Sequence, residues 1–357
     1  MAEELDRIGF VVHHPEMFHH YQNVWRHMPA GSVEVVVAAK PKPLFESIVK
    51  GCARYELPWR DAAELLRNKQ RYTTALSAFP AVNSDAKSTK AIARFSLRFM
   101  YANGKAGWNF RPWNSMYDSI LCFGPYQAQG LSFCETTLKI QMGYPRFDRF
   151  FNEPIDRKKR LTELGLDPQR KTVVWLPTWS TLCSIEAFAP IVAELQEQHN
   201  VIVKPHPFTV SDEPTRMAAL EGFRCVIRDP IDNVQLFQLA DVLLCDYGGS
   251  PFGAIYTDRK LVLLDLPDAE TNEVTGKDSS DIELRKYIPH LSRDQPELLG
   301  ALLTERADSI WAEQVKVRAA LRELHFAQHY GYASQVAALA IVNAPRAHTR
   351  TAPWSSG

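Results

Sequence analysis

The sequence has no net charge: 41 Lys plus Arg stand against 41 Asp plus Glu. That balance excludes a surface built throughout for a polyanion, so no nucleic-acid partner is expected, although a local basic cleft is compatible with it. No apolar run approaches the roughly 18 residues needed to cross a bilayer. Peripheral association with the inner face of a cell membrane needs only a patch and stays open. The six cysteines (Cys52, Cys122, Cys134, Cys183, Cys225 and Cys245) show no Cys-x-x-Cys pair and no metal-ligand spacing. Buried, reduced thiols are therefore expected rather than disulfides. The first residues, Ala2-Glu3-Glu4-Leu5-Asp6, lack the basic-then-apolar order of a signal peptide, which points to the cytoplasm. With 17 Gly and 23 Pro in 357 residues, collagen-like and extensively disordered chains are excluded. There is no internal repeat and no low-complexity tract.

What remains is a soluble globular composition, 45% apolar and 23% charged, in a length that suits two domains. Short apolar runs alternate with helical patterns. Ile8 to Val12 and Val33 to Ala39 read as strands, with Glu16 to Met28 an amphipathic helix between them. Leu97 to Ala102, Ser119 to Phe123 and Lys139 to Gly143 are weaker strand candidates. The stretch from Cys52 to Thr89 is illegible apart from helix formers at Asp61 to Arg67. A cleaner series begins near Lys171: strands at Val173–Pro177, Val201–Lys204, Cys225–Ile227, Val242–Asp246 and Leu261–Leu266, and helices at Ile185–Gln198, Asn233–Ala240 and Pro251–Thr257. Strand and helix alternating at this spacing predict parallel sheets with right-handed crossovers. The charged segment from Phe151 to Arg170 separates the two series. Leu298 to Val342 reads as mostly helical. The expected division is an N-terminal domain over 1–150, a C-terminal domain over 151–325, a helix over 326–344 and a flexible tail over 345–357.

In open parallel sheets, ligands sit beyond the carboxyl ends of the strands. The segments that follow each strand are therefore where chemistry is sought. Asp246-Tyr247-Gly248-Gly249-Ser250-Pro251 follows one strand and opens a helix. Two glycines allow a sharp turn, with Ser250 as the expected N-cap and Pro251 at the first helical position. Such a helix start binds anions, phosphate especially; a tight turn without a ligand is the plainer reading. No Gly-Lys-Ser/Thr follows, so this is not a Walker A loop. Lys204-Pro205-His206-Pro207 holds an ammonium and an imidazole on a stiff loop, suited to neutralising a diphosphate or protonating a leaving phosphate. Pro177-Thr178-Trp179-Ser180-Thr181 offers hydroxyls and an indole for a phosphate and a base, or simply a helix cap with a packed aromatic. Tyr101-Ala102-Asn103-Gly104-Lys105, with Arg111 following, suits an anionic or polyol acceptor, or is an ordinary loop. Arg146 and Asp148 read as a salt bridge at a hinge. His13, His14, His19 and His20 cluster without the carboxylate or cysteine that would complete a zinc spacing, and no metal is expected. His13 and His14, ending the first strand, are alternative acceptor contacts.

Taken in order, Gly143-Tyr144-Pro145-Arg146-Phe147-Asp148, Leu176-Pro177-Thr178-Trp179-Ser180, Val203-Lys204-Pro205-His206-Pro207 and Ala240 through Ser250 resemble the CDP-glycerol glycerophosphotransferase family of teichoic acid and capsule synthesis. The resemblance spans roughly residues 97 to 305. It implies a GT-B fold: two Rossmann-like, doubly wound parallel-sheet domains facing an interdomain cleft, the first taking the acceptor and the second the nucleotide donor. No cofactor or metal is obligatory in that scheme. The substrates are a CDP- or CMP-type nucleotide donor and a glycan or lipid-linked glycan acceptor. It implies His206 as a donor-phosphate ligand or leaving-group stabiliser. Lys204, Thr178, Trp179, Ser180, Asp246, Tyr247, Gly248, Gly249 and Ser250 would line the donor pocket. Asn103 falls at the position of the family's catalytic histidine, and His13, His14 and Asp148 are the candidates for the base that deprotonates the acceptor. The family typically carries His-Gly where this chain has Asn103-Gly104, and an amide takes no proton at neutral pH, so the family's acid/base scheme does not carry over intact. The Asp-Tyr-Ser-Ser typical of the family reads Asp246-Tyr247-Gly248-Gly249. The implied activity is transfer of glycerol phosphate or a related polyol phosphate to a glycan in bacterial surface-polymer synthesis. The alternatives are a glycosyltransferase using a nucleotide sugar, and a catalytically silent module that keeps the nucleotide site.

Overall fold

The valine-rich and leucine-rich runs are too apolar for a sheet face open to water, and each becomes a strand covered on both sides. The computed structural model describes residues 4–39, 41–81, 88–304 and 307–351. By packing, the chain divides into two compact units. One consists of Met1–Tyr101, Phe110–Asp148 and His325–Gly357; the other consists of Ala102–Asn109 and Arg149–Leu324.

The first unit holds a seven-stranded parallel sheet of β1 (Glu4–Val12), β2 (Val33–Val37), β3 (Trp59–Asp61), β4 (Arg71–Ser77), β5 (Ala93–Phe99), β6 (Ser119–Cys122) and β7 (Leu138–Gln141). Their order is β3-β2-β1-β4-β5-β6-β7, with Phe10 in register with Val35 on one side and Leu76 on the other. The chain winds outward from β1, then returns to β4 and winds the other way, as in a dinucleotide-binding sheet. The illegible region supplies β3, the helix Ala62–Arg67 and β4. In β4, Arg71, Thr73, Thr74 and Ser77 break up the apolar pattern, yet Tyr72, Ala75 and Leu76 are fully buried.

The second unit holds a five-stranded parallel sheet of β8 (Thr172–Leu176), β9 (Asn200–Val203), β10 (Val242–Cys245), β11 (Leu261–Leu264) and β12 (His290–Leu291), ordered β12-β11-β10-β8-β9. β8, β9, β10 and β11 are wholly buried, around a core that includes Val173, Trp175, Phe188, Val203 and Leu244. Each such side chain contributes about 1.5–3 kcal/mol by leaving water. The chain leaves β8 for β9 at the edge, then crosses back to β10. The direction of winding therefore reverses between β8 and β10, and their carboxyl ends form the topological switch point of this unit.

Two expectations change. Cys225–Ile227 is not a strand: it makes a single bridge, Val203 with Val226, through bonds from Val203 N–H to the Cys225 carbonyl and from Ile227 N–H to that of Val203. The predicted tail from Pro345 is helical as far as Thr351, within the helix Ala333–Thr351, whose Ala337, Ala338, Ile341 and Ala344 are buried. Residues 352–357 lie outside the described part. All six cysteines are buried and unpaired. Among the described residues, no helix is long and apolar enough to cross a membrane.

Candidate functional site

Asp246 follows β10 at the switch point and is almost wholly buried. Its Oδ1 and Oδ2 accept the Thr178 N–H at 2.9 and 3.0 Å, Oδ2 accepts the Ser184 N–H at 2.9 Å, and Oδ1 accepts its neighbour Tyr247 N–H at 2.7 Å. Burial raises its carboxyl to about 6, against amide bonds that favour the charged form. This carboxylate ties the segment after β8 to the segment after β10. That is a framework task, where sequence reading had placed Asp246 in the donor pocket. Tyr247 is likewise buried, its ring under the Arg285 guanidinium at 3.9 Å and its hydroxyl accepting the Leu266 N–H at 3.2 Å.

The helix after β10 runs Gly249–Tyr256, and its N-cap is Gly248, not Ser250. Gly248 has φ +103°, a conformation that L side chains rarely adopt. Ser250 and Pro251 therefore lie inside the first turn. Its N-cap N–H is occupied: Gly248 donates to Asp281 Oδ1 at 2.7 Å. Pro251 has no N–H, so the open donors of the first turn are those of Gly249 and Ser250.

Asp281 also accepts the main-chain N–H of Lys105 on Oδ2 at 2.5 Å and the Ser279 hydroxyl at 3.0 Å. The segment Ala102–Asn109 thus docks on the second unit although it follows β5 in sequence. Ala106 N–H to Ser279 Oγ, Gly107 N–H to the Thr275 carbonyl, and Ser280 Oγ–H to the Asn103 carbonyl complete the attachment. Gly104 is required by close approach, since a Cβ there would stand 2.5 and 2.6 Å from the Asp281 oxygens. Lys105 sits at φ +60°, and a Cβ on Gly248 would lie 3.4 Å from Lys105 Cε and 3.8 Å from both Lys105 Nζ and Thr178 Oγ1. The Lys105 ammonium and the Thr178 hydroxyl therefore converge over the Gly248 backbone. Burial pulls that ammonium below the ordinary lysine range, while the charges of Asp281 and Asp246 act in the opposite direction. Asn103 is buried, and neither amide atom of its side chain has a hydrogen-bond partner among the described residues.

After β9, His206 is the N-cap of the helix Pro207–Asp212, its Nδ1 accepting the Phe208 N–H at 3.2 Å. In the neutral ring the proton then resides on Nε2, making that nitrogen a donor. Trp179, 38% exposed, stacks on the imidazole with centroids 5.7 Å apart and an interplanar angle of 22°. Phe208 packs edge-on against the same indole at 4.7 Å. Lys204 is buried, its Nζ donating to the Pro205 carbonyl at 3.2 Å. Ser180 turns at φ +59° and its N–H donates to Glu213 Oε1 at 2.9 Å.

Asp148 belongs to the first unit, and its carboxylate is committed to structure. It accepts the N–H groups of Ala333 and Ser334 at 3.1 and 2.7 Å, and the Ser334 hydroxyl, capping the helix Ala333–Thr351. The expected Arg146–Asp148 pair does not form: Arg146 lies 3.1 Å from Glu16 Oε1 and 3.3 Å from His20 Nε2. His13 Nε2 contacts the Ala81 carbonyl at 2.5 Å, His14 Nδ1 accepts the Glu16 N–H at 3.2 Å, and His19 faces Glu16 at 3.9 Å. Burial, then the Arg146 charge, hold His20 well below the usual histidine range. Among the described residues, no group of His, Cys, Asp and Glu is arranged to hold a metal ion.

Sequence reading missed Asp281 and Arg285. Arg285 donates to Asp265 Oδ1 at 2.6 Å and to the carbonyls of Asp281, Asp246 and Leu264 at 2.6, 3.1 and 3.0 Å, fixing the ends of β10 and β11. Ser279-Ser280-Asp281, which spans the N-cap and first turn of the short helix Ser280–Glu283, is the local signal that marks the segment.

Known proteins share this architecture. The wall teichoic acid polymerase TagF aligns with TM-score 0.66 at 13% identity, over 96% of this chain and 90% of that one. A TagF variant soaked with CDPG aligns with TM-score 0.66 at 14% identity over the same shares. Anabaena HepE, in complex with UDP and glucose, aligns with TM-score 0.56 at 11% identity, over 98% of this chain and all of that one. These likenesses establish the GT-B fold. No curated protein sequence matches the chain. Residues 132–342, more than half of its length, match the family described as CDP-glycerol:poly(glycerophosphate) glycerophosphotransferase, and the chain is a transferase belonging to that family.

Proposed function

We propose that the protein transfers glycerol phosphate, or a closely related polyol phosphate, from a CDP-linked donor to a glycan hydroxyl in bacterial surface-polymer synthesis. The family match over residues 132–342 carries this reading. The convergence of Thr178, Gly248 and the start of the helix Gly249–Tyr256 at the switch point supports it. A lipid-linked acceptor and peripheral attachment to the inner face of the membrane belong to the same proposal.

In this reading the N–H groups of Gly249 and Ser250, with the Ser250 hydroxyl, hold donor phosphate oxygens. His206 donates from Nε2 toward the phosphate from which CMP departs, and Lys204 adds positive charge behind it. Trp179 offers an aromatic face to the cytosine. The acceptor oxygen forms a bond to the β-phosphorus as the bond from that phosphorus to the bridging oxygen breaks. CMP leaves with the electron pair, and the hydroxyl proton passes to solvent. Transfer to phosphorus through a loose transition state depends mainly on positioning and charge stabilisation. Asn103, an amide, serves there as a hydrogen-bonding group rather than a base.

The test is a donor panel (CDP-glycerol, CDP-ribitol, CMP- and UDP-sugars) with a lipid-linked glycan acceptor and mass spectrometry of the product. The expected product gains one polyol phosphate and releases CMP. A product gaining a sugar, or hydrolysis of no donor in the panel, overturns the reading.

A further inference from the structure

The start of the helix Gly249–Tyr256 is not a bare positive tip. The Gly248 N–H is bound to Asp281, the Tyr247 N–H to Asp246, and Pro251 has none to give. Two carboxylates therefore stand at the end of β10 before any ligand arrives. The nearby Arg285 guanidinium is paired with Asp265 at 2.6 Å, and the Asp265 carboxylate also meets His290. A diphosphate entering this corner meets like charge unless another cation faces it.

Lys105 is placed to be that cation. Its ammonium and the Thr178 hydroxyl lie over the Gly248 α-carbon, and among the described residues this ammonium makes no hydrogen bond or ion pair. It is not a loosely hung surface lysine. The backbone at φ +60° is held by the bond to Asp281, and Asn109 Nδ2 donates to the Gly104 carbonyl at 2.6 Å on the preceding turn. A left-handed lysine is a strained conformation, which the shared carboxylate offsets. One carboxylate binds the main chain of the lysine-bearing turn with Oδ2 and the helix N-cap with Oδ1, so it sets where the ammonium stands relative to the helix start.

We infer that Lys105 is a donor-phosphate ligand and that Asp281 is its positioning residue, an inference resting on the nucleotide-donor reading above. Lys105 neutralises charge on the phosphates next to Gly249 and Ser250. Asp281 holds it there at the expense of adding a negative charge nearby.

The experiment is titration calorimetry of the full chain and its Lys105→Met, Lys105→Arg and Asp281→Asn variants with CDP, UDP, inorganic pyrophosphate and cytidine, with circular dichroism confirming the fold. Wild type is expected to bind CDP and pyrophosphate. Lys105→Met should weaken both by about 10- to 100-fold, the size of a charge-assisted hydrogen bond, without changing cytidine binding. Lys105→Arg should recover part of the loss. Asp281→Asn should weaken CDP, although simple removal of a repelling charge predicts tightening. Unchanged CDP binding in Lys105→Met, or tighter binding in Asp281→Asn, overturns the inference. If UDP or pyrophosphate binds through Lys105 while CDP does not bind, the donor assignment falls and the Lys105 site stands. If wild type binds none of the phosphates, both fall. Should Lys105→Met misfold, Lys105→Gln replaces it in the same comparison.

Discussion

Both oxygens of the Asp246 carboxylate accept the main-chain N–H of Thr178, at 2.9 and 3.0 Å, so that the ends of β8 and β10 are fastened to each other at the point where the sheet reverses its winding. The same carboxylate holds Ser184 and Tyr247. Asp246→Ala leaves three main-chain N–H groups buried without an acceptor. At about 1–3 kcal/mol each, the expected loss is on the order of 3 kcal/mol or more, read from urea unfolding. A variant as stable as wild type would mean that these amides find other partners.

The pH dependence of stability carries the same residue's signature. The folded-state pKa of Asp246, raised to about 6, lies above the roughly 3.9 of an unfolded chain. The folded protein then binds more protons than the unfolded one between those values. Its contribution is complete below about pH 4 and is lost as pH rises through 6. Unfolding free energies measured from pH 4 to 7 should show this decline in wild type and a flatter profile in Asp246→Asn.

Gly248 adopts φ +103°, while a Cβ there would make only ordinary contact with Lys105 Cε at 3.4 Å. The cost of Gly248→Ala therefore comes from the backbone, about 1–3 kcal/mol. If the turn relaxes to avoid the strain, the bond from its N–H to Asp281 is lost with it. Thermal melts should show the destabilisation, and donor affinity should fall alongside it. Full retention of both would show that the turn is not held in this conformation.

His206 has two separable tasks. Its Nδ1 caps the helix Pro207–Asp212, and its Nε2 carries the proton proposed to face the donor. Asn is a good N-cap but lacks a group in the Nε2 position. His206→Asn should therefore melt within a few degrees of wild type yet lose most transfer activity. His206→Ala should lose both. Activity near wild type in His206→Asn would confine the residue to capping.

Asp148 is expected to matter for stability rather than for donor binding. Removing a cap that serves two main-chain amides and a hydroxyl of the helix Ala333–Thr351 costs on the order of 1–2 kcal/mol. Asp148→Ala should lower the melting temperature and leave CDP affinity unchanged in calorimetry. A normal melt with abolished transfer would restore it to the catalytic group.

Much of the framework was legible because it is written locally. Val33 to Val37, Thr172 to Leu176 and Val242 to Cys245 are apolar runs bounded by turn residues, and runs this short read as buried strands. β4 escaped notice because its hydroxyl and arginine side chains alternate with buried ones, so the strand reads as polar. The N-cap was misplaced by two residues because Ser250 is the better capper by type, while the backbone reversal that starts the helix requires Gly248.

The chain's own order of residues determined that parallel strands would form and that Thr178, His206 and Gly248 would each follow one, since these depend on patterns a few residues long. Only the folded structure decided that Lys105 packs beside Gly248, through a carboxylate 176 residues away in sequence. It also decided that Asp148 caps a helix 185 residues further on. Contacts of that span depend on how whole elements pack, and no periodicity along the chain records them.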